Sequence, residues 1–331
     1  MKKEKMINGI QAFNDFYYKD CFYNALFPIV LHFGRNIMNF FYNDISFYTC
    51  REQKDWTSFQ ADYLSENPLE SVIESIGVHV NKLGRVSDVV KKLQESLDND
   101  YPVILSIDCF YMSIRRDTFM KEHHPHHILI YGYSEERNHF LVMEHKHKDS
   151  LSYDKTEVSF SDISNSYQGY LVNFCGQEKF SYLEFSEGRF KEGTESINMY
   201  REQFKSNLFK HNEIIIQGLE SLAEYTNIFK KELEEGMQFP AYINNLLKSV
   251  NTTVNVKKVE TYRIKNLLPE NLIIRSYCEK ILSSWLFVRN VLVRSMYICD
   301  IKTDYFEKCT EKLDEIHHLE LQYMNLLLKY H

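Results

Sequence analysis

The chain has 331 residues, of which 44% are hydrophobic and 26% charged, proportions that exclude a disordered chain, a collagen or a disulfide-dense scaffold. Its formal net charge of −7 and the lack of any dense Lys/Arg run argue against nucleic acid as a partner. Eleven glycines and six prolines disfavour turn-rich all-β folds and long linkers, and the length is a prior for two domains.

The longest apolar stretch, Cys21 to Phe33, is broken by Asn24, Pro28 and His32 and is too short to span a bilayer. Met1-Lys-Lys-Glu-Lys is followed by no apolar run of the signal-peptide kind. Seven cysteines (Cys21, Cys50, Cys109, Cys175, Cys278, Cys299 and Cys309) are an odd, scattered set without a CxxC pair, which fits free thiols in a reducing compartment. The expectation is a cytoplasmic protein with no membrane partner.

Along the chain, short strand-like runs first alternate with helical ones. A helical stretch, Ser87 to Leu97, leads through Asn99-Asp-Tyr-Pro102 into an apolar strand, Val103 to Asp108. A second strand, His127 to Tyr131, stops at Gly132, and the polar Ser134 to Asn138 connects it to a third, Phe140 to Met143. Gly169 to Phe174 and Phe180 to Phe185 read as two more strands. Residues 1–188 are therefore expected to be an α+β domain with an antiparallel sheet. After Gly188 the texture changes. Ser196 to Glu235, Pro240 to Tyr262, Asn271 to Asp300 and Thr303 to Tyr330 carry apolar residues at helical spacing, as in Leu282, Trp285, Val288 and Leu292. Residues 189–331 are expected to form an all-α bundle of four helices.

Two segments carry chemistry. In Asp15-Phe-Tyr-Tyr-Lys-Asp-Cys-Phe-Tyr-Asn-Ala-Leu-Phe, Cys21 follows a polar loop and opens an apolar helical run. A cysteine in a first helical turn feels the positive end of the helix dipole, which favours thiolate, and Lys19 adds to the field. The bland reading of Cys21 is a small buried hydrophobe. In the second segment, Glu122 to His145, His126 stands at the start of one strand and Glu144 at the end of the next. An antiparallel hairpin makes such residues neighbours, so the carboxylate orients the imidazole as base and orienter of a thiol triad. The rival is metal: His123, His124, His126, His127, His145 and His147 are a dense cluster, but no HExxH or CxxC spacing accompanies them, and no metal is expected.

Together, Asp20-Cys-Phe-Tyr-Asn-Ala-Leu26, Pro102-Val-Ile-Leu-Ser-Ile-Asp108, His126-His-Ile-Leu-Ile-Tyr-Gly-Tyr133 and Phe140-Leu-Val-Met-Glu144 resemble the papain-like cysteine enzymes of the double-glycine peptidase type. The nearer resemblance, over residues 8 to 180, is to the butirosin acyltransferase-like family, in which a papain-like domain precedes helices. It implies Cys21 as nucleophile and, six residues before the glycine of the Gly-Tyr pair, His126 as base, with His127 as the register-shifted alternative. It departs from the pattern twice. Glu144 stands where Asp or Asn is usual, with Asp149 the next acid in sequence, and the Gln expected before the cysteine is replaced at best by Asn14 as the oxyanion-hole residue.

The resemblance implies acyl chemistry: a Cys21 thioester taken from a carrier protein's phosphopantetheine arm and passed to a small amine, as in amide-forming enzymes of the closthioamide type. No further cofactor is implied, and no phosphate-binding glycine loop is present. Hydrolysis by a peptidase or thioesterase of the same type is the alternative, and a non-catalytic binding module the other. The helices serve substrate binding or a homodimer. An acidic carrier protein would meet a basic patch, for which Arg115-Arg116, Lys230-Lys231 and Lys257-Lys258 are the candidates.

Overall fold

The computed structural model describes residues 3–52, 55–145, 147, 152–174, 180–189, 197–235, 239–297 and 303–329. In chain order the elements are β1 (Glu4–Met6), α1 (Cys21–His32), α2 (Met38–Tyr42), β2 (Asp44–Cys50), β3 (Phe59–Ser65), α3 (Leu69–Ser75) and β4 (Val78–Leu83). There follow α4 (Val89–Asp98), β5 (Val103–Asp108), β6 (Pro125–Ser134), β7 (His139–His145), β8 (Tyr153–Ser159), α5 (Phe160–Asn173) and β9 (Tyr182–Glu187). Five long helices close the chain: α6 (Ile197–Lys210), α7 (Asn212–Glu234), α8 (Phe239–Leu267), α9 (Leu272–Tyr297) and α10 (Thr303–Lys329). The fold class is α+β, an antiparallel sheet followed by a helical region.

Contacts divide the chain into two units, Met1–Ile37 with Pro68–Glu192, and Met38–Asn67 with Gly193–His331. The change of texture near residue 190 coincides with one junction. The segment Met38–Asn67, placed with the first domain in the sequence reading, groups with the helices instead.

The first unit is built on a sheet in the order β4-β9-β5-β6-β7-β8, with every pair antiparallel. β6 is its spine. β5 pairs with residues from Pro125 to Ile130 of that strand, and β1 pairs with Gly132 to Ser134 beyond it. A Cβ on Gly132 would lie 2.7 Å from the carbonyl oxygen of Lys5, so only glycine lets β1 approach there. All six residues of β5 are buried, which is why the strand reads as apolar on both faces apart from Ser106 and Asp108. The stretch Gly169 to Phe174, read as a strand, is instead the end of α5. Ser159 caps that helix by accepting from the Asp162 N–H at 3.0 Å, and Ile163, Ser166, Tyr167 and Tyr170 are buried at helical spacing. Gly169 faces the ring of Tyr111 too closely to admit a side chain.

In the second unit, β2 and β3 form a hairpin paired from Asp44↔Ser65 to Cys50↔Phe59. α7 lies across it at Gly218, where a Cβ would sit 2.8 Å from both the N and the O of Tyr48. The run Ser196 to Glu235, read as one helix, is two, parted at His211, whose Nε2 is 2.8 Å from Glu66 Oε2. Inside this unit is a sealed ionic cluster. Lys257 Nζ bonds Glu320 at 2.6 Å and Glu260 at 3.1 Å, and Tyr48 donates to Glu320 at 2.6 Å. Trp285 Nε1 donates to the Tyr48 oxygen at 2.9 Å, and Ser46 and Tyr323 both donate to Glu260 at 2.9 Å. Burial works against charge on Glu260, but Lys257 and Arg263 outweigh it and draw its pKa down to about 2. Lys257 is therefore no part of a surface patch. Among the described residues, no helix is long and apolar enough to cross a membrane.

Candidate active site

The first unit gathers three of the expected residues. Cys21 is the first residue of α1, behind Asp20, whose carboxylate accepts from the Phe22 N–H at 2.9 Å and caps the helix. The thiol is half-buried and lies within hydrogen-bonding reach of His126. Lys19, in a left-handed turn at φ 55°, places its ammonium over the rings of Tyr18 and Tyr23, at 5.2 and 5.5 Å.

His126 and Glu144 come from adjacent antiparallel strands, and His126 Nε2 is 3.0 Å from Glu144 Oε1. With Nε2 held there, Nδ1 is the nitrogen left for the thiol. Both side chains are almost fully buried, at 3% and 2% exposure. Burial acts to lower the His126 pKa, but the charges of Glu144 and Cys21 and the hydrogen bonds to both overcome it and push the value up to about 10. Glu144 shifts the other way. Burial opposes its ionisation, yet His126, His145 and Arg115 hold the carboxyl below its usual range. The arrangement is that of a base that keeps a proton and an acid that keeps its charge.

His127 does not join them. Successive residues of a strand face opposite ways, and His127 turns to Ser106 Oγ at 3.1 Å and to the edge of the Phe22 ring. Asn14 is taken up elsewhere: its amide donates to the Tyr153 carbonyl at 2.9 Å and its oxygen accepts from the Tyr153 N–H at 2.8 Å. That pairing makes it a tie between the N-terminal segment and β8. Asp149, Cys175 and Cys299 lie outside the described residues.

Arg115 was legible only as half of a basic pair, and the structure corrects that reading. The side chain is fully buried, with Nη1 3.3 Å from Glu144 Oε1 and 3.1 Å from His145 Nε2, while Nε and Nη2 each donate to Asp117 at 3.3 Å. It supplies a positive charge to the same buried carboxylate oxygen that meets the imidazole. His145 adds its backbone N–H to Glu144 Oε1 at 2.7 Å, stacks on Tyr153 and lies tilted against His126, with ring centroids 4.8 Å from each. The Tyr153 hydroxyl is buried with no hydrogen-bond partner among the described residues. Nothing in the local sequence marks Arg115 or Tyr153, because both act through residues distant in the chain.

Of the six histidines, only His126 and His145 are brought together among the described residues. His123 stacks on Phe110 and pairs with Asp108 at 2.6 Å, and His147 is exposed. His126, Glu144 and His145 alone present ligand atoms within 4.8 Å of one another, a metal-sized group among the described residues. The guanidinium of Arg115, bonded to two of the three, sets a fixed positive charge against any cation there.

A comparison with curated proteins finds no match to the chain. Residues 37–145, a segment that carries His126, Glu144 and Arg115 but begins after Cys21, match the family described as butirosin biosynthesis protein H, N-terminal, in agreement with the resemblance read from the sequence.

Proposed function

We propose that the chain is a biosynthetic acyltransferase that carries its acyl group as a thioester on Cys21 and delivers it to an amine. The observation that carries this reading is the relay Cys21–His126–Glu144, with the thiol in the first turn of a helix and the imidazole held by a charged, buried carboxylate. The family match supports a biosynthetic setting. In the first step the Cys21 sulfur attacks the carbonyl of a donor thioester. The new C–S bond forms, the old one breaks, and the donor leaves as a thiol with the proton held by His126. In the second step an amine attacks the Cys21 thioester, a C–N bond forms, and Cys21 departs as thiolate while His126 accepts the amine's proton. Exchange between thioesters is close to balanced and amide formation runs downhill, so the cycle needs no nucleotide. The donor of matching chemistry is an acyl group on a carrier protein's phosphopantetheine arm.

The test supplies acyl-pantetheine thioesters with a panel of amines and follows protein mass, amide and acid by mass spectrometry. The expected result is an acyl adduct on Cys21 that decays faster with amine and yields amide. Adduct that yields only acid with every amine overturns transfer in favour of hydrolysis. No adduct at all overturns the enzyme.

A further inference from the structure

Beside Cys21 the first unit holds an open groove of about 530 Å³, within the size range of pockets that take small organic ligands. The residues flanking the nucleophile, Asp20 and Phe22, line it, and so does His127, the neighbour of the base. Its far wall is apolar: Ile73 from α3, Val80 from β4, Tyr170 from α5, and Leu183 and Phe185 from β9. His127, which the relay does not use, is therefore a wall of this groove, turned there by strand alternation.

The charges around the groove are one-sided. Asp20, Glu70 and Glu74 line it against a single Lys82, and Lys82 is already paired with Glu70. A ligand carrying a carboxylate would meet net negative charge and no unpaired cation in this lining. A neutral apolar group meets aromatic and aliphatic walls whose removal from water favours binding in proportion to area.

We infer that this groove holds the acyl group of the donor, and that it selects uncharged apolar acyl groups several carbons long over short or carboxylate-bearing ones. The inference rests on the acyl-transfer reading and adds to it a substrate class. Phe22 and His127, next in sequence to the nucleophile and the base, line the groove together with Leu183 and Phe185 of β9.

The experiment measures the rate of Cys21 acylation in the full chain by intact-protein mass, using acetyl-, butyryl-, hexanoyl- and adipoyl-pantetheine. The expected rates rise by about fourfold per added methylene from acetyl to hexanoyl. Adipoyl, as long as hexanoyl but ending in a carboxylate, is expected to load at least about tenfold more slowly than hexanoyl. Leu183→Asp, at a half-buried position, is expected to flatten the chain-length dependence. If the wild-type chain acylates equally with all four donors, or adipoyl matches hexanoyl, the groove is not the acyl site while acyl transfer stands. If no donor leaves a mass on Cys21, the acyl-transfer reading itself fails.

Discussion

Each unit buries a knot of charged side chains, and the two knots differ in what they leave open. Around Glu320 and Glu260 in the helical unit, Lys257, Tyr48, Tyr323 and Ser46 occupy the carboxylate oxygens, and the cluster ends on Trp285. Around Glu144 in the sheet unit, one carboxylate oxygen takes Arg115, His126 and the His145 N–H together, while Oε2 is buried without a partner among the described residues. There the chain of contacts runs outward through His126 to a half-buried thiol and a groove. A closed network fixes a structure, whereas one that ends on a half-exposed thiol has the arrangement the proposed proton transfer needs.

Removing the nucleophile tests the open cluster most severely. Cys21→Ala is expected to abolish acylation while leaving the fold intact, as read by circular dichroism, because a half-buried thiol contributes little packing. His126→Ala is expected to cost about ten-thousandfold in acylation rate. His127→Ala keeps the relay, and if it proved as inactive as His126→Ala the contrast between the two strand faces would collapse.

The closed cluster should respond in stability rather than chemistry. Lys257→Met leaves the buried Glu320 without its cation and Glu260 with Arg263 alone, and a broken buried pair costs about 3–5 kcal/mol. Urea unfolding would read that loss, and Cys21 in the remaining folded protein should still acylate. A Lys257→Met chain as stable as the wild type would show that the cluster is not held by charge.

Single groups within the two clusters differ in the sign of their pH dependence, and each cluster holds both signs. The His126 pKa is raised, to about 10, so its stabilisation is complete below the unfolded histidine value near 6.5 and is lost as pH rises through 10. The Glu260 pKa is lowered, to about 2, so its contribution is present above the unfolded value and is lost as pH falls towards 2. His126→Ala should therefore reduce alkaline sensitivity, and Glu260→Gln should reduce acid sensitivity, in thermal melts across pH. The smallest expected effect is that of a chelator. Dialysis against EDTA should leave acylation unchanged, and loss restored by zinc would turn His126, Glu144 and His145 into ligands.

Much of the sheet unit was legible because its signals are local. β5 and β6 carry apolar runs, although β6 continues through Gly132, where the sequence reading stopped it, and the His126–Glu144 pairing follows from two strands and one connection. The helix bearing Cys21 is announced by Asp20, a capping residue directly before an apolar run. What escaped notice depends on distant contacts. β2 and β3 mix polar with aromatic residues, and Ser46 faces the buried Glu260 of α8, so Ser46, Thr49 and Gln60 hid the hairpin. The helix over Gly169 read as a strand because Tyr170, Leu171, Val172 and Phe174 are strand-forming types, a preference overridden by the Ser159 cap and the packing of Tyr167. Arg115 lay beside Arg116 as an apparent surface pair, and only Glu144, far along the chain, calls it inside.

The grouping of Met38–Asn67 with Gly193–His331 has a consequence for the order in which the protein is made. The β2–β3 hairpin leaves the ribosome before most of the sheet unit, yet the helices of its own unit that bury Phe59 and Tyr48 are translated last. At about 5–20 residues per second, the hairpin waits on the order of ten seconds for its partners. During that interval its aromatic face is open to other nascent chains and to holding chaperones. Truncation before α7 would leave that face uncovered for good, so shortened products of this gene should aggregate while the full chain does not.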